Sequence, residues 1–385
     1  MPMAVSVLNI VLNGFVNDSR VLKESLSLKK AGYDVRVIAL YEHGLPRHES
    51  VNGIPVERLR LRCREISKSI FMKPFTYLEL LIRLASRCGK ADILHCNDLD
   101  LLPLGVFIKR FINRKAALVY DAHEYETEKT GQSKAARPFL RIIEGRCVRR
   151  ADAVLTVSGP IAEAYARSYA IPEPALVLNC PPFYRGDEKR NDIFRNKFNI
   201  PKKTRIYLYQ GGLSPGRGIE VLLEVFREMK GERAVVFLGY GPLQDIIKES
   251  AESSERIFFH EAVGSDILLN YTSAADAGFS FVENVSLSYY YSLPNKLFEY
   301  IMAGIPVVAS NLVEMRRIVE KYGIGTISSG ESAEDVIRAM DKLEEMDSDS
   351  LRKNLMKASS LYNWENQEKV LLDVYRSLPV RSMDE

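Results

Sequence analysis

Short β-branched runs alternate with longer amphipathic segments along most of the chain. In the front half the runs fall at residues 5–12, 35–40, 93–96, 117–120, 153–157 and 175–178. Between them the period turns helical. Over residues 19–31, Val21, Leu22, Ser25, Leu26 and Leu28 fall near helical spacing, and Gly32 can end the segment. Near-continuous apolar strands between helices predict a parallel sheet covered on both faces. Residues 180–203 hold Pro181, Pro182, Gly186 and Pro201 among many charges, which predicts an interdomain connection. The alternation then restarts, with runs at 205–210, 234–239, 256–259, 277–281 and 306–310. The predicted class is α/β, with two Rossmann-like doubly wound domains facing a cleft, residues 1–180 and 181–363. A closing helix at 364–385 places Val370, Leu371, Val374 and Tyr375 on one stripe. Ligands of such sheets bind beyond the carboxyl ends of strands, so one site built from both halves is expected.

Composition narrows the class. Of 385 residues, 46% are hydrophobic and 27% charged, which suits a soluble, well-cored chain and excludes a disordered or fibrous one. No stretch approaches the roughly 20 apolar residues needed to span a bilayer, and the first residues read as a strand rather than a signal peptide. Five cysteines without a CxxC pair argue against structural zinc and a disulfide framework, so the cytoplasm is the expected location. The net charge of +3 is unevenly placed: residues 1–180 carry +8 and the remainder −5. A basic front half suits an anionic partner such as a membrane surface, a lipid diphosphate or a nucleotide, although solvated surface charge accounts for it equally well. No nucleic-acid reading motif accompanies the charge.

Candidate chemistry sits at the ends of predicted strands. After the first run, Asn13-Gly14 allows a tight turn and close approach of a ligand, Asp18 or Ser19 can cap the next helix, and Arg20 in its first turn makes sense beside an anion. His95, Cys96, Asn97 and Asp98 end another run. Asp98 and Asp100 have metal-holding DxD spacing, a weak signal by itself. Tyr120–Glu124 ends a third, with His123 as a donor to a sugar hydroxyl or a carbonyl and Glu124 as an acceptor. The loop from Gln210 through Gly211, Gly212, Gly216, Arg217 and Gly218 bares amides at a helix start, and Arg217 adds a bidentate phosphate donor. In the stretch 289–306, Ser292 is expected to cap a helix with Pro294 in its first turn. Asn295 and Lys296 follow, and Glu299 is placed to accept two vicinal hydroxyls of a ribose.

Together NDSRVLKE, HCNDLDLLPL, YDAHE, RADAVLTVS, GGLSPGRG and LPNKLFEYIMAGIPVVAS resemble the retaining glycosyltransferases of family 4, of the GT-B fold, over nearly the whole chain. The resemblance implies a nucleoside diphosphate sugar, expected to be a UDP-sugar, held mainly by the second domain. It implies an acceptor held by the first domain, and a final helix that crosses back to it. By position, Gly14 would approach the donor diphosphate, His123 would contact the donor sugar and Glu299 the ribose. Arg217 stands where the family has a phosphate-binding lysine, and residues 260–263, with Val263, would lie beside the base. Gly212, Pro294, Asn295 and Lys296 complete the donor-side set. Arg20, Asn97, Asp98 and Glu124 form the acceptor side. Two positions depart from the family: its first glutamate, eight positions before Glu299, is Tyr291, and the arginine of its phosphate loop is Gly212. Lys296 or Arg20 is the expected substitute for the missing cation.

The expected reaction moves the sugar to a hydroxyl with retained configuration. His123, Arg217 and Lys296 are the catalytic set, and no metal or other cofactor is expected. The expected acceptor is a lipid-linked glycan of polysaccharide or cell-envelope synthesis. Residues 58–90 mix Arg and Lys with Phe71, Phe75, Tyr77 and Leu80, as a patch peripheral to the inner face of a membrane would. A non-hydrolysing sugar-nucleotide epimerase and a non-catalytic sugar-nucleotide-binding partner subunit are the alternatives.

Overall fold

A computed structural model describes residues 4–16, 18–66, 72–184, 191–229 and 231–380. Asn17 of the NDSR motif, Phe71, and residues 185–190 of the expected connection lie outside the described residues. The chain divides into two compact units, Met1–Val177 with Glu368–Glu385, and Leu178–Gln367.

The first unit is built on β1 (Ser6–Ile10), β2 (Asp34–Leu40), β3 (His48–Val51), β4 (Ile54–Leu59), β5 (Ile93–Asn97), β6 (Ala117–Ala122), β7 (Ala153–Thr156) and β8 (Ala175–Leu176). They lie in the order β3-β4-β2-β1-β5-β6-β7-β8, and every neighbouring pair is parallel except β3 with β4. That hairpin escapes a reading by apolar runs because β3 is half exposed. Its signal is Asn52-Gly53, two consecutive residues at φ 50° and 81°, as the tight turn matched to strand twist requires. β1 crosses to β2 in one direction, whereas β4, β5, β6 and β7 follow one another in the other. Right-handed crossovers therefore put the helix Ser19–Lys30 on one face of the sheet. The helices Lys73–Cys88, Leu102–Phe111 and Arg137–Val148 take the opposite face.

The second unit holds β9 (Arg205–Gly212), β10 (Arg233–Tyr240), β11 (Ile257–Glu261), β12 (Ala277–Ser280), β13 (Val307–Ser310) and β14 (Gly325–Ser328). All are parallel, in the order β11-β10-β9-β12-β13-β14. β9 shows why the sheet is buried on both sides: Ile206 and Leu208 enter one core, Tyr207 and Tyr209 the other. β14 carries a weak strand signature and forms because β13 offers it a ladder. Each sheet has a point where strand order reverses, between β1 and β5 and between β9 and β12. The turns leaving those strands are where a doubly wound sheet can seat a ligand.

The closing helix, Trp364–Arg376, begins in the second unit, where the Trp364 N–H donates to the Pro181 carbonyl (2.8 Å) and Glu365 accepts from the Phe183 N–H (3.0 Å). From Glu368 onward it belongs to the first unit, with Tyr375 buried edge-on against Tyr33. Among the described residues, no helix is long and apolar enough to cross a membrane.

Candidate functional site

At the carboxyl ends of β1, β5 and β6 the first unit buries a chain of charged and polar side chains. Arg20 forks onto Asp121, with Nε and Nη2 donating to the two carboxylate oxygens at 2.8 Å each, and Nη1 donates to the Val177 carbonyl at 2.6 Å. A planar guanidinium and a carboxylate match in just this two-pronged way. Burial would raise the Asp121 carboxyl, but the Arg20 charge outweighs it, aided by His123, and holds it well below the usual range. Arg20 is thus spent on an internal anion. It is 4% exposed, and does not supply the substitute phosphate cation or face an acceptor.

Asp121 in turn holds His123. The His123 Nε2 lies 3.1 Å from Asp121 Oδ2 and 3.0 Å from Asn97 Oδ1. Asn97 uses its own Nδ2 to donate to Asn9 Oδ1 (2.6 Å) and to the Ile10 carbonyl (2.9 Å), so its oxygen is the atom facing the histidine. With acceptors on that side, Nε2 carries a hydrogen, and Nδ1 is left toward Asp98 at 3.9 Å. Burial alone would lower the imidazole; Asp121, by charge and hydrogen bond, reverses this and lifts it to about 9. Asn97, expected on the acceptor side, is buried and acts as a strut. Asp98 is half-buried at φ 66° and receives Lys129 at 3.4 Å, and Lys129 also pairs with Glu126 and feels Glu124. Asp98, His123 and Glu124 therefore form the partly open rim above the buried chain.

Residues to which motif reading gave no role complete it. Glu24 lies wholly buried beside Arg20 (3.2 Å), and burial, against the pull of Arg20, raises its carboxyl. His95 Nδ1 meets the Tyr375 hydroxyl at 2.6 Å, and its Nε2 has no hydrogen-bond partner among the described residues. In the turn after β1 the left-handed residue is Phe15 (φ 52°), so a positive φ is not what requires a glycine at Gly14. A Cβ on Gly14 would stand 2.9 Å from Glu42 Cδ and 3.0 Å from Leu45 Cδ1, both at the far ends of side chains that can shift.

In the second unit the loop after β9 takes Gly211, Gly216 and Gly218 to φ 110°, 78° and 71°, and a Cβ on Gly211 or Gly212 would meet nothing within 4 Å. The helix Ile219–Glu228 starts there, but the Gly218 N–H is not open to a ligand. It donates to Glu283 Oε1 at 3.2 Å, a carboxylate from the turn after β12 that motif reading passed over. Arg217 stacks over the Tyr289 ring, 4.7 Å from its centroid.

The helix Asn295–Ala303 is capped at Pro294, not at Ser292, whose buried hydroxyl has no partner among the described residues. A helix start leaves the amides of its first turn without intrahelical partners, here those of Asn295 and Lys296. Lys296 is 7% exposed. Its ammonium rests 3.5 Å above the centroid of Tyr209 and, among the described residues, donates to no acceptor. Burial first, and the Arg217 charge second, push it well below its ordinary range, with Glu299 pulling the other way. Glu299 is pinned at one oxygen by Gln210 Nε2 (2.5 Å), and Gln210 in turn accepts from Thr272 Oγ1 (2.8 Å). Val263 is half-buried against the second unit's core, and His260 turns its Nδ1 to the Glu261 carbonyl at 2.7 Å.

Residues 19–181 match the family model described as a glycosyl transferase 4-like domain, and residues 190–360 that of glycosyl transferases group 1. No curated protein matches the chain by sequence. Among solved structures it is similar to sucrose-phosphate synthase from Thermosynechococcus elongatus, at 19% identity and TM-score 0.75, covering 97% of this chain and 98% of that one. It is similar to HepE of Anabaena in complex with UDP-glucose, at 16% identity and TM-score 0.75, covering 97% and 100%. A glycosyltransferase from Rickettsia africae follows at 15% identity and TM-score 0.69, covering 97% and 98%. With both units matched and both folded as Rossmann-like sheets of the GT-B class, the chain belongs to the glycosyltransferases of the family 4 type.

Proposed function

We propose that the protein moves a sugar from a nucleoside diphosphate sugar, a UDP-sugar, to a hydroxyl of a lipid-linked glycan at a membrane surface, in polysaccharide or cell-envelope assembly, and that the sugar keeps its anomeric configuration. One observation carries the donor half. Lys296 and Arg217 lie close enough to repel each other, and among the described residues neither has a carboxylate ion pair. Two such cations beside an open glycine loop and a helix start suit a diphosphate, whose charge repays the cost of burying Lys296. The UDP-glucose complex of the HepE structure supports the choice of nucleotide.

In this reading Gly212, Asn295 and Lys296 offer amides to the diphosphate at the open turn that Pro294 enters. Arg217 and the Lys296 ammonium meet the charge that grows on it, Glu299 holds the ribose and Val263 borders the base. The bond from the sugar carbon to the diphosphate oxygen breaks, a bond from that carbon to the acceptor oxygen forms on the same face, and the hydroxyl proton passes to a diphosphate oxygen. Side-chain cations and amides supply the stabilisation that a metal gives elsewhere, so the reaction is proposed to run without one. His123, protonated at neutral pH and fixed through Nε2, offers Nδ1–H to the transferred sugar, while Asp98 and Glu124 accept from acceptor hydroxyls.

The test is a thermal-shift panel of nucleoside diphosphate sugars followed by a transfer assay. A UDP-sugar should raise the melting point of the wild type, and Arg217→Ala should lose both that shift and transfer. Full transfer by Arg217→Ala would overturn the assignment.

A further inference from the structure

Three helices on one face of the first unit carry large apolar side chains that the fold leaves in water. They are the helices Lys73–Cys88, Leu102–Phe111 and Arg137–Val148, placed side by side by right-handed crossovers between strands that advance in one direction. Each points a buried stripe at the sheet: Leu80, Leu84 and Cys88 in the first, Leu104 and Ile108 in the second, Glu144 and Val148 in the third. Each also points an apolar stripe away from it. Phe75 and Ile82 stand on the outer side of the first helix, Phe107 and Phe111 on the second, Phe139 and Ile142 on the third. Phe111 is 65% exposed and Phe139 64%. The first unit's other exposed large apolar side chains, among the described residues, are Leu78 and Ile112 on the same face and Val16 elsewhere. Single exposed apolar residues are ordinary; a row of them across three adjacent helices is not.

The sequence expectation placed a membrane patch at residues 58–90 with Phe71, Phe75, Tyr77 and Leu80. The structure keeps only part of it, since Phe75 is exposed on the outward stripe. Leu80 is buried, Tyr77 turns its hydroxyl to the Asp100 carbonyl, and Phe71 lies outside the described residues. The outward stripe continues instead onto the next two helices.

Charge identifies the occupant. The three helices carry eight Lys and Arg against two carboxylates, Glu79 and Glu144. Five of the eight are paired, Arg83 with Glu79, Arg87 with Glu57, Lys109 with Asp152, and Arg137 and Arg141 with Glu128, and Glu144 is buried under three tyrosine hydroxyls, so the free charge of the face rests on the remaining cations and on those just beyond the helices. Arg110, Arg114, Lys115 and Arg146 are exposed with no carboxylate partner among the described residues, and Arg110 lies over the Phe111 ring. A second copy of the chain would bring this same cationic face against itself. An anionic bilayer gives the phenyl groups hydrocarbon and the guanidinium groups phosphate at one interface.

We infer that this three-helix face docks the protein on an anionic lipid surface, with Phe107, Phe111, Phe139 and Ile142 entering the headgroup–acyl boundary. The inference rests on the membrane-side acceptor proposed above and assigns the surface that would deliver the first unit to it.

The full chain is floated with vesicles of equimolar phosphatidylglycerol and phosphatidylcholine, and with vesicles of phosphatidylcholine alone. The chain should float with the first and not the second, and release as salt is raised. The pairs Phe107→Ser with Phe111→Ser, and Arg110→Glu with Arg114→Glu, should each weaken flotation by about tenfold or more while the UDP-sugar thermal shift stays unchanged, which shows the variants folded. No flotation of the wild type, or flotation of either pair equal to that of the wild type, overturns the inference. So does a dimer in solution that the serine pair dissolves, since a second copy would then cover the face. Flotation without transfer would sink the lipid-linked acceptor and leave the face standing, whereas transfer to a lipid-linked acceptor without flotation would do the reverse.

Discussion

Arg20 and Asp121 stand 101 positions apart in the chain and meet as a buried two-pronged pair, both hydrogen bonds at 2.8 Å. The pair ties the first turn of the helix after β1 to the end of β6, and so fixes the carboxylate that orients His123.

Removing one partner should therefore cost more than the pair is worth. Arg20→Ala leaves the Asp121 carboxylate buried beside Glu24 with His123 as its remaining counter-charge, and stability should fall by about 3 kcal/mol. Arg20→Lys keeps the charge but cannot fork, and should fall in between. Chemical denaturation of the three proteins checks the order.

The pH profile should show the histidine. His123 is raised in the folded protein from 6.5 to about 9, so the stability it contributes is complete below pH 6.5 and is lost as pH rises toward 9. The full loss is about 3 kcal/mol in order of magnitude. In His123→Gln that decline should flatten. Unfolding free energies measured between pH 6 and 10 decide it, and an unchanged slope would refute the pairing with Asp121.

Lys296 should trade stability for binding. Its ammonium is buried without an acceptor, so Lys296→Met, which keeps the stem and removes the charge, should raise the melting point of the empty protein by an amount equivalent to about 1–2 kcal/mol. The same variant should lose the shift produced by a UDP-sugar. Paired thermal scans with and without donor read both effects.

The glycine loop should tolerate no side chain at Gly218. Its φ of 71° is left-handed, and a Cβ would stand 2.8 Å from the Phe281 Cβ. Gly218→Ala should lose about 2–4 kcal/mol, against little at Gly212, where a Cβ meets nothing within 4 Å. At Gly212 the expected loss is in donor affinity, which calorimetric titration with a UDP-sugar would show.

The two-sheet α/β plan was legible in the chain because its evidence is local. Buried parallel strands are continuous apolar runs, helices keep their own period, and the motifs that identify a family 4 glycosyltransferase are contiguous stretches. The hairpin at Asn52-Gly53 has a local signal in its turn, which the reading of apolar runs passed over. What each polar residue faces is settled over distances no local pattern encodes. Arg20 finds Asp121, the Gly218 amide finds Glu283 across 65 positions, and His95 finds Tyr375 across 280. Each meeting depends on strand order, since parallel neighbours bring the ends of remote segments together. The sequence by itself therefore determined which elements form and which chemistry they carry. The tertiary structure alone decided which charges are spent inside and which, such as Lys296, have no carboxylate partner among the described residues, because burial and counter-charge depend on neighbours that chain order does not reveal.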